Sequence, residues 1–213
     1  MLLREHVKDA NGGPTGRACQ NGRRITMLTA AAYDIHVDQL IDRMKRLHAM
    51  LTAAGVPYRI VGGMAVFIHV FERDPLRARL TADVDASIAR ADLPLVVEAA
   101  RKAGLQYRHV AGVDKLLDAG AKQARSAVHL IFAGEKVRAD YGESVPNSPP
   151  DRTSEGVLIA PVADLVRMKL TSYRLKDRVH IQDLDAVGLI TAAMEADLPE
   201  ALRSRLAEVR ATE

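Results

Sequence analysis

A chain of 213 residues is long enough to bury a substantial core and fits one domain, or one domain with a helical appendage. Hydrophobic residues make up 48% and charged residues 27%, as in an ordinary globular protein, and no apolar run approaches the roughly 20 residues of a membrane span. Aromatic residues at 4%, with no tryptophan, disfavour base stacking as a main source of nucleic-acid affinity.

The net charge of +3 is concentrated in the first residues of the chain. Residues 1–26 carry five arginine or lysine residues against two acidic residues, and the rest of the chain balances. Overall charge therefore gives no argument for a polyanion partner. Cys19 is the only cysteine, and the first residues lack the apolar core of a secretory signal. We expect a cytoplasmic protein with no membrane partner and a disordered tail over residues 1–26.

The first predicted element is an amphipathic helix. From Asp34 to Leu51 the apolar residues recur at helical spacing, and Gly55 suits the left-handed position after a helix end. We interpret this helix as packed scaffold.

The chain is organised around the stretch that follows. A short β-prone run from Tyr58 to Val61 stops at Gly62-Gly63, and an apolar segment from Met64 to Phe71 continues as a predicted helix. Glycine lets the backbone approach a ligand with no Cβ in the way, and the first N–H groups of a helix have no partner inside it. The glycine pair is therefore a candidate cradle for phosphate oxygens.

Two aspartates lie one residue apart on the next predicted strand. Strand alternation sends Asp83, Asp85 and Ser87 to one face. Neighbouring carboxylates repel each other, and a divalent cation between them relieves that repulsion. Mg²⁺ suits such oxygen ligands, because it completes its shell with water and substrate phosphates. An Asp-x-Asp pair also occurs on solvated strand edges, so the pair alone leaves both interpretations open.

The linked motifs are more specific than either one alone. A glycine pair after a strand, a helix, and then Arg79-x-Thr81-x-Asp83-x-Asp85 resembles the signature of the nucleotidyltransferase superfamily. The pattern is most similar to the bacterial toxin-type and abortive-infection nucleotidyltransferases, over roughly residues 34–190. The resemblance implies that Asp83 and Asp85 are catalytic and hold Mg²⁺. The nucleotide-binding residues that it implies here are Gly62, Gly63, Arg79 and Thr81.

Beyond the aspartates the pattern predicts a helix after Asp92 and a strand from Leu105 to Val110. A short helix at Val113 to Leu117 is one interpretation of the ambiguous segment that comes next. Residues 127–132 and 136–140 then read as two strands of a hairpin, joined by a short loop that contains glycine.

The strand over residues 126–132 departs from the family. Catalytically competent relatives usually carry a third carboxylate there, but Ala127 and His129 hold the alternating positions in this chain. In two-metal phosphoryl transfer the third carboxylate helps hold the ion that activates the attacking oxygen. Its absence affects deprotonation more than nucleotide binding. The sequence therefore leaves turnover open, and His129 is either a base or a structural histidine.

A proline-rich loop over residues 141–155 and a short strand over 156–160 precede a helix that starts at Pro161. Further helices are predicted after Asp177 and beside Pro199.

The segment from Asp164 to Asp183 resembles the C-terminal helical motif of the same nucleotidyltransferases, in which a lysine and an Arg-x-Lys-Asp group face the nucleotide. The resemblance implies nucleotide contacts for Lys169 and Lys176. Without it, both are ordinary solvent-facing helix charges.

We predict an α/β fold: a small mixed β-sheet of nucleotidyltransferase type, flanked by helices. Residues 27–160 form the predicted core, and residues 161–213 form a helical part packed on it. The predicted activity is Mg²⁺-dependent transfer of a nucleoside monophosphate from a nucleoside triphosphate to an acceptor. By resemblance the acceptor is a protein side chain or an RNA end.

Two alternatives stay open. The first is a catalytically impaired nucleotide-binding module that acts through a protein partner, such as an antitoxin, in a toxin–antitoxin or defence system. The second is a phosphate-ester hydrolase that uses the same metal site.

Overall fold

The computed structural model describes residues 30–119 and 127–212, with side chains from residue 36 onward. The predicted tail over residues 1–26 lies outside the described residues. In chain order the elements are α1 Ala30–Ala53, β1 Tyr58–Val61, α2 Gly62–Arg73, β2 Val84–Ile88, a 3₁₀ turn Arg90–Asp92, α3 Leu93–Lys102, β3 Leu105–Val110, β4 Val113–Asp118, β5 Val128–Phe132, β6 Asp151–Arg152, β7 Leu158–Ile159, α4 Val162–Ser172, α5 Leu175–Ala186, α6 Ala192–Ala196 and α7 Glu200–Arg210.

The strands form one mixed sheet in the order β3-β4-β5-β2-β1-β7-β6. β1 and β2 are antiparallel, whereas β2 pairs with β5, and β1 with β7, in parallel. Helices flank the sheet, which confirms the predicted α/β fold class. The topology places β2, the strand that carries Asp85, at the centre of the sheet.

The core is continuous from the sheet into the C-terminal helices. β1 is buried along its whole length, and α2 packs against β2, α4 and α5. Leu165 and Leu170 of α4, and Ile181 and Leu184 of α5, are fully buried in the same cluster as Ile60 of β1. Helix α2 therefore contacts both the sheet and the C-terminal helices, and the domain boundary at residue 160 stays a prediction.

The amphipathic helix is confirmed as α1, and Gly55 after it adopts φ +67°. The predicted helices after Asp92, at Pro161 and beside Pro199 correspond to α3, α4 and α7. None of the helices in the described ranges is long and apolar enough to cross a bilayer.

Two local predictions are wrong. Residues 136–140 do not form a strand, because β5 already lies between β4 and β2 and offers no free edge to a hairpin partner. The chain turns back on itself there, with mutual backbone hydrogen bonds of 2.8 Å between the Gly134 to Glu135 turn and Val145. Val113 to Leu117 is part of strand β4 and not a helix; its alternate residues Asp114 and Leu116 are buried.

Candidate functional site

The glycine turn contacts the second aspartate directly. Gly62 is the first residue of α2 and has φ +71°, which favours glycine. A Cβ built on Gly62 would lie 2.0 Å from Oδ2 of Asp85. The contact follows from the sheet register, in which Val61 at the end of β1 pairs with Asp85 on β2.

Gly63 is also close to side chains from other parts of the chain. A Cβ at this position would lie 2.6 Å from Oγ1 of Thr81, in the loop before β2, and 3.5 Å from Cε1 of His180 on α5. The space that the glycines leave is thus taken by side chains of the protein itself. This differs from the sequence interpretation, in which the missing Cβ atoms make room for a ligand.

The N-terminus of α2 is buried beside Asp85. No side chain caps it at Val61, and the first residues of the helix, Gly62 to Ala65, are buried. The leading N–H groups of a helix and its dipole both favour negative charge. The Asp85 carboxylate, which contacts the first of these residues, lies in that favourable field.

Asp83 lies just outside the strand. β2 begins at Val84, so Asp83 is the last loop residue before it, and both aspartates are half-buried. The prediction that both aspartates lie on the strand therefore holds for Asp85 alone.

His129 lies beside Asp85, on the strand where the sequence resemblance led us to expect a third carboxylate. It is the register partner of Asp85 on the parallel strand β5, and its Nδ1 lies 3.0 Å from Oδ1 of Asp85. Over the described residues, no group of three or more His, Cys, Asp or Glu side chains could hold a metal ion. Proteins commonly bind Mg²⁺ through one or two carboxylates plus substrate phosphates and water. Asp83 and Asp85 supply two half-buried carboxylates, the number that suits one such ion and not two.

A buried ion pair joins α4 to α5. Lys169 on α4 is only 6% exposed, and its Nζ lies 3.2 Å from Oδ1 of Asp177. Burial lowers the pKa of Lys169, while the charges of Asp177 and Asp85 oppose that effect. The charge of Asp85 therefore acts on Lys169, although Asp177 is the ion-pair partner of the lysine.

Asp177 is fully buried and holds several donors together. The Arg174 Nε donates to it over 2.6 Å and the Ser172 Oγ over 2.8 Å. Burial alone would raise the pKa of Asp177, but these hydrogen bonds and the charge of Lys169 lower it to about 2. Sequence reasoning did not single out Asp177 as a site residue, although it closes the Arg-x-Lys-Asp motif.

The turn between α4 and α5 makes this arrangement possible. Tyr173 adopts a left-handed conformation with φ 49°, which few non-glycine residues do. The guanidinium groups of Arg178 and Arg205 lie over its ring, 4.6 and 5.0 Å from the ring centroid. The reversal at Tyr173 lets Lys169 on α4 and Arg174, the residue just before α5, reach one carboxylate.

The two remaining predicted residues lie further out. The Arg79 Nε donates to Oδ1 of Asp183 on α5 over 2.8 Å, and the Arg79 side chain is 67% exposed. Lys176 is exposed on α5, near enough to His180 for its charge to lower the pKa of that imidazole. The structure thus brings together Gly62, Gly63, Thr81 and Asp85, whereas the direct partner of Lys169 is Asp177. It places Arg79 in an ion pair that links the loop to α5.

None of the protein-family models matches the chain, and the search of curated proteins found no match. Among solved structures, the chain is similar to the crystal structure of ANT(2'')-Ia in complex with adenylyl-2''-tobramycin. That match has a TM-score of 0.51 and 10% identity, and it covers 81% of this chain and 97% of the other.

Two further structures are similar at lower scores. The solution structure of the antibiotic-resistance factor ANT(2'')-Ia has a TM-score of 0.45 and 12% identity, with 83% of this chain and 85% of the other covered. The Megavirus polyadenylate synthase has a TM-score of 0.37 and 9% identity, with 81% and 34% covered. The crystal structure of ANT(2'')-Ia shows that this chain shares its fold with a protein that binds adenylyl-2''-tobramycin.

Proposed function

We propose that the protein transfers a nucleoside monophosphate from a nucleoside triphosphate to an acceptor group and releases pyrophosphate. The main support for the proposal is the contact between Gly62 and Asp85. It joins a helix N-terminus that favours phosphate oxygens to a carboxylate that can hold a cation. The shared fold with ANT(2'')-Ia, whose crystal structure contains an adenylylated compound, supports the same reaction class.

Each group has a role in this scheme. Asp83 and Asp85 would hold Mg²⁺, which neutralises phosphate charge when it is bound. The leading N–H groups of α2 would donate hydrogen bonds to phosphate oxygens, and the buried Lys169 would offset the charge of the triphosphate. The acceptor oxygen attacks the α-phosphorus, its proton passes to water, and the bond from the α-phosphorus to the bridging oxygen breaks.

The acceptor in this proposal is a protein side chain or an RNA end, as the sequence resemblance implies. Arg79 bonds Asp183 through Nε and is largely exposed, so its terminal N–H groups can contact the nucleotide while that ion pair is kept. Lys176 is exposed and free to move towards a bound triphosphate.

One observation favours a second candidate function. His129, and not a carboxylate, lies beside Asp85, so the donor set for a second activating ion is incomplete. A nucleotide-binding module that acts through a protein partner, as an antitoxin-paired toxin or defence component would, needs no such ion.

Labelling by α-phosphate-labelled nucleotides distinguishes the two. The purified chain is incubated with each triphosphate and Mg²⁺, together with bulk RNA or a protein extract, and compared with an Asp83→Ala, Asp85→Ala variant. Incorporation into an acceptor by the parent alone supports transfer. Nucleotide binding without incorporation supports the binding module, and the release of product into water without labelling indicates hydrolysis.

A further inference from the structure

His180 on α5 is a half-buried histidine that has no role in the scheme above. Its ring lies against the glycine turn, where Cε1 is 3.5 Å from the position that a Cβ on Gly63 would take. Thr81 contacts the same glycine from the loop before β2. The imidazole is therefore part of the wall of the proposed phosphate site, although it comes from a distant part of the chain.

One ring nitrogen of His180 lacks a partner. Nδ1 is shielded from solvent and makes no hydrogen bond to any described residue. Buried polar atoms without partners are rare in folded proteins, and each one calls for a physical explanation. A ring that serves only as packing would be replaced by an apolar side chain at no cost in hydrogen bonding.

A rotation of the ring supplies an explanation. A half-turn about χ2 exchanges the positions of Cε1 and Nε2, and of Nδ1 and Cδ2, and this torsion is broad and roughly two-fold in histidine. The rotation puts Nε2 where Cε1 now lies, at the glycine turn, and takes Nδ1 out of its unpartnered position. The ring then presents a hydrogen-bonding atom to the phosphate site.

The charges around the ring select an anion as its ligand. Burial and the charge of Lys169 lower the pKa of His180 to about 4, with Lys176 and Arg174 acting in the same direction and Asp177 against it. The imidazole is therefore neutral near pH 7 and has one N–H to donate among several cations. A phosphate oxygen is the acceptor that these cations and the N-terminus of α2 both favour.

We propose that His180 contacts the nucleotide directly, by donating a hydrogen bond from Nε2 to a phosphate oxygen held at the Gly62-Gly63 turn. The inference rests on the proposed function, since it adds one contact to the same site.

Three variants test the contact. His180→Leu keeps the approximate volume and removes both nitrogens, whereas His180→Gln places an amide N–H near the position of Nε2. His109→Leu is the matched control, because His109 lies on β3, at the edge of the sheet and three strands from β2. The affinity of each variant for the four nucleoside triphosphates is measured with Mg²⁺ by calorimetry, and thermal stability is measured alongside.

A direct contact predicts that His180→Leu weakens binding about tenfold to a hundredfold, the range of a hydrogen bond to a charged group. His180→Gln should recover most of this loss, and His109→Leu should bind like the parent. A His180→Leu variant that binds like the parent overturns the inference and leaves the proposed function intact. A parent that binds none of the triphosphates overturns both.

A spectroscopic measurement on the unaltered chain keeps the test independent of variant folding. In ¹⁵N-histidine-labelled protein, the Nε2 resonance of His180 should move when the triphosphate is added, with the ring remaining neutral. An Nε2 resonance that stays in place while nucleotide binds would contradict the contact.

Discussion

The imidazole of His129 and the carboxylate of Asp85 form a pair across two parallel strands, with Nδ1 3.0 Å from Oδ1. The histidine gives Asp85 a hydrogen-bonding partner within the protein. A carboxylate at the same position would instead add a negative charge that a cation has to balance. The identity of residue 129 therefore governs how strongly the site needs a metal ion.

The variant His129→Asp should make the stability of the protein depend on Mg²⁺. Its new carboxylate repels Asp85, so we expect the melting temperature in chelator to fall by several degrees, and added Mg²⁺ to raise it more than in the parent. Thermal denaturation with chelator and with Mg²⁺ measures both. Transfer activity, where present in the parent, should rise because the donor set for a second ion is more complete.

A second His–Asp pair provides the control. His109 on β3 lies 2.8 Å from Asp114 on β4, away from the glycine turn. His109→Asp should also destabilise the protein through like-charge repulsion, but without a Mg²⁺ response beyond that of the parent. Equal Mg²⁺ responses at residues 109 and 129 would show that any such acidic pair binds the ion, and would remove the argument for a specific site.

Gly62→Ala should destabilise the protein more than Gly55→Ala. Both glycines have positive φ, +71° and +67°, so alanine costs about 1 kcal/mol at each from backbone strain alone. A Cβ at Gly62 also collides with Asp85, whereas one at Gly55 meets nothing within 4 Å. Overpacking of this kind adds about 1–3 kcal/mol.

Urea denaturation of the two variants measures the difference in the free energy of unfolding. In the double variant Gly62→Ala, Asp85→Ala the added cost should largely disappear, because the colliding carboxylate is gone. If Gly62→Ala and Gly55→Ala lower the free energy of unfolding equally, the Asp85 carboxylate does not contact Gly62 in solution.

Local sequence patterns could predict most of the elements that build this site. The glycine pair after a β-prone run gave the β1–α2 turn, and strand alternation gave β2 around Asp85. The failed hairpin at residues 136–140 depended on a non-local fact, namely that β2 and β4 occupy both edges of β5. A local pattern carries no information about which edges are taken.

The part of the site that α5 contributes was harder to predict from the sequence. Asp177 and His180 lie in a segment rich in exposed charges, and helical spacing does not show which of them become buried. Helix α5 packs against α4 after the reversal at Tyr173, a residue whose type gives no signal for a left-handed conformation. The occupation of the glycine Cβ positions by Asp85 and Thr81 likewise depends on sheet register and loop path.

Removing Asp177 should cost more stability than removing Lys169. Asp177→Ala leaves the buried Lys169 without its ion-pair partner and also frees Arg174 and Ser172. Breaking a buried pair in this way costs about 3–5 kcal/mol. Lys169→Met leaves Asp177 still held by those two donors, so we expect a loss below that range.

The free energies of unfolding from urea denaturation give both values. An exposed pair is the control: Glu200→Ala, which removes the partner of Arg203, should change stability by about 0.5 kcal/mol or less. A loss for Lys169→Met equal to that for Asp177→Ala would mean that Arg174 and Ser172 do not compensate Asp177.

The histidine at the glycine turn should make the protein less stable as the pH falls from 6.5 to 4. The pKa of His180 is lowered from 6.5 to about 4 by burial and the charge of Lys169, so between these values the unfolded chain binds a proton that the folded protein does not. The free energy of unfolding therefore decreases as the pH falls through this window, by roughly 2–4 kcal/mol in total from this group. His180→Leu removes the group, so its free energy of unfolding should fall less than that of the parent as the pH drops over the same window. Relative to the parent, the variant should therefore become more stable at low pH. Thermal or urea denaturation at half-unit steps of pH measures the two profiles; parallel profiles would mean that His180 titrates in the folded protein much as it does in the unfolded chain.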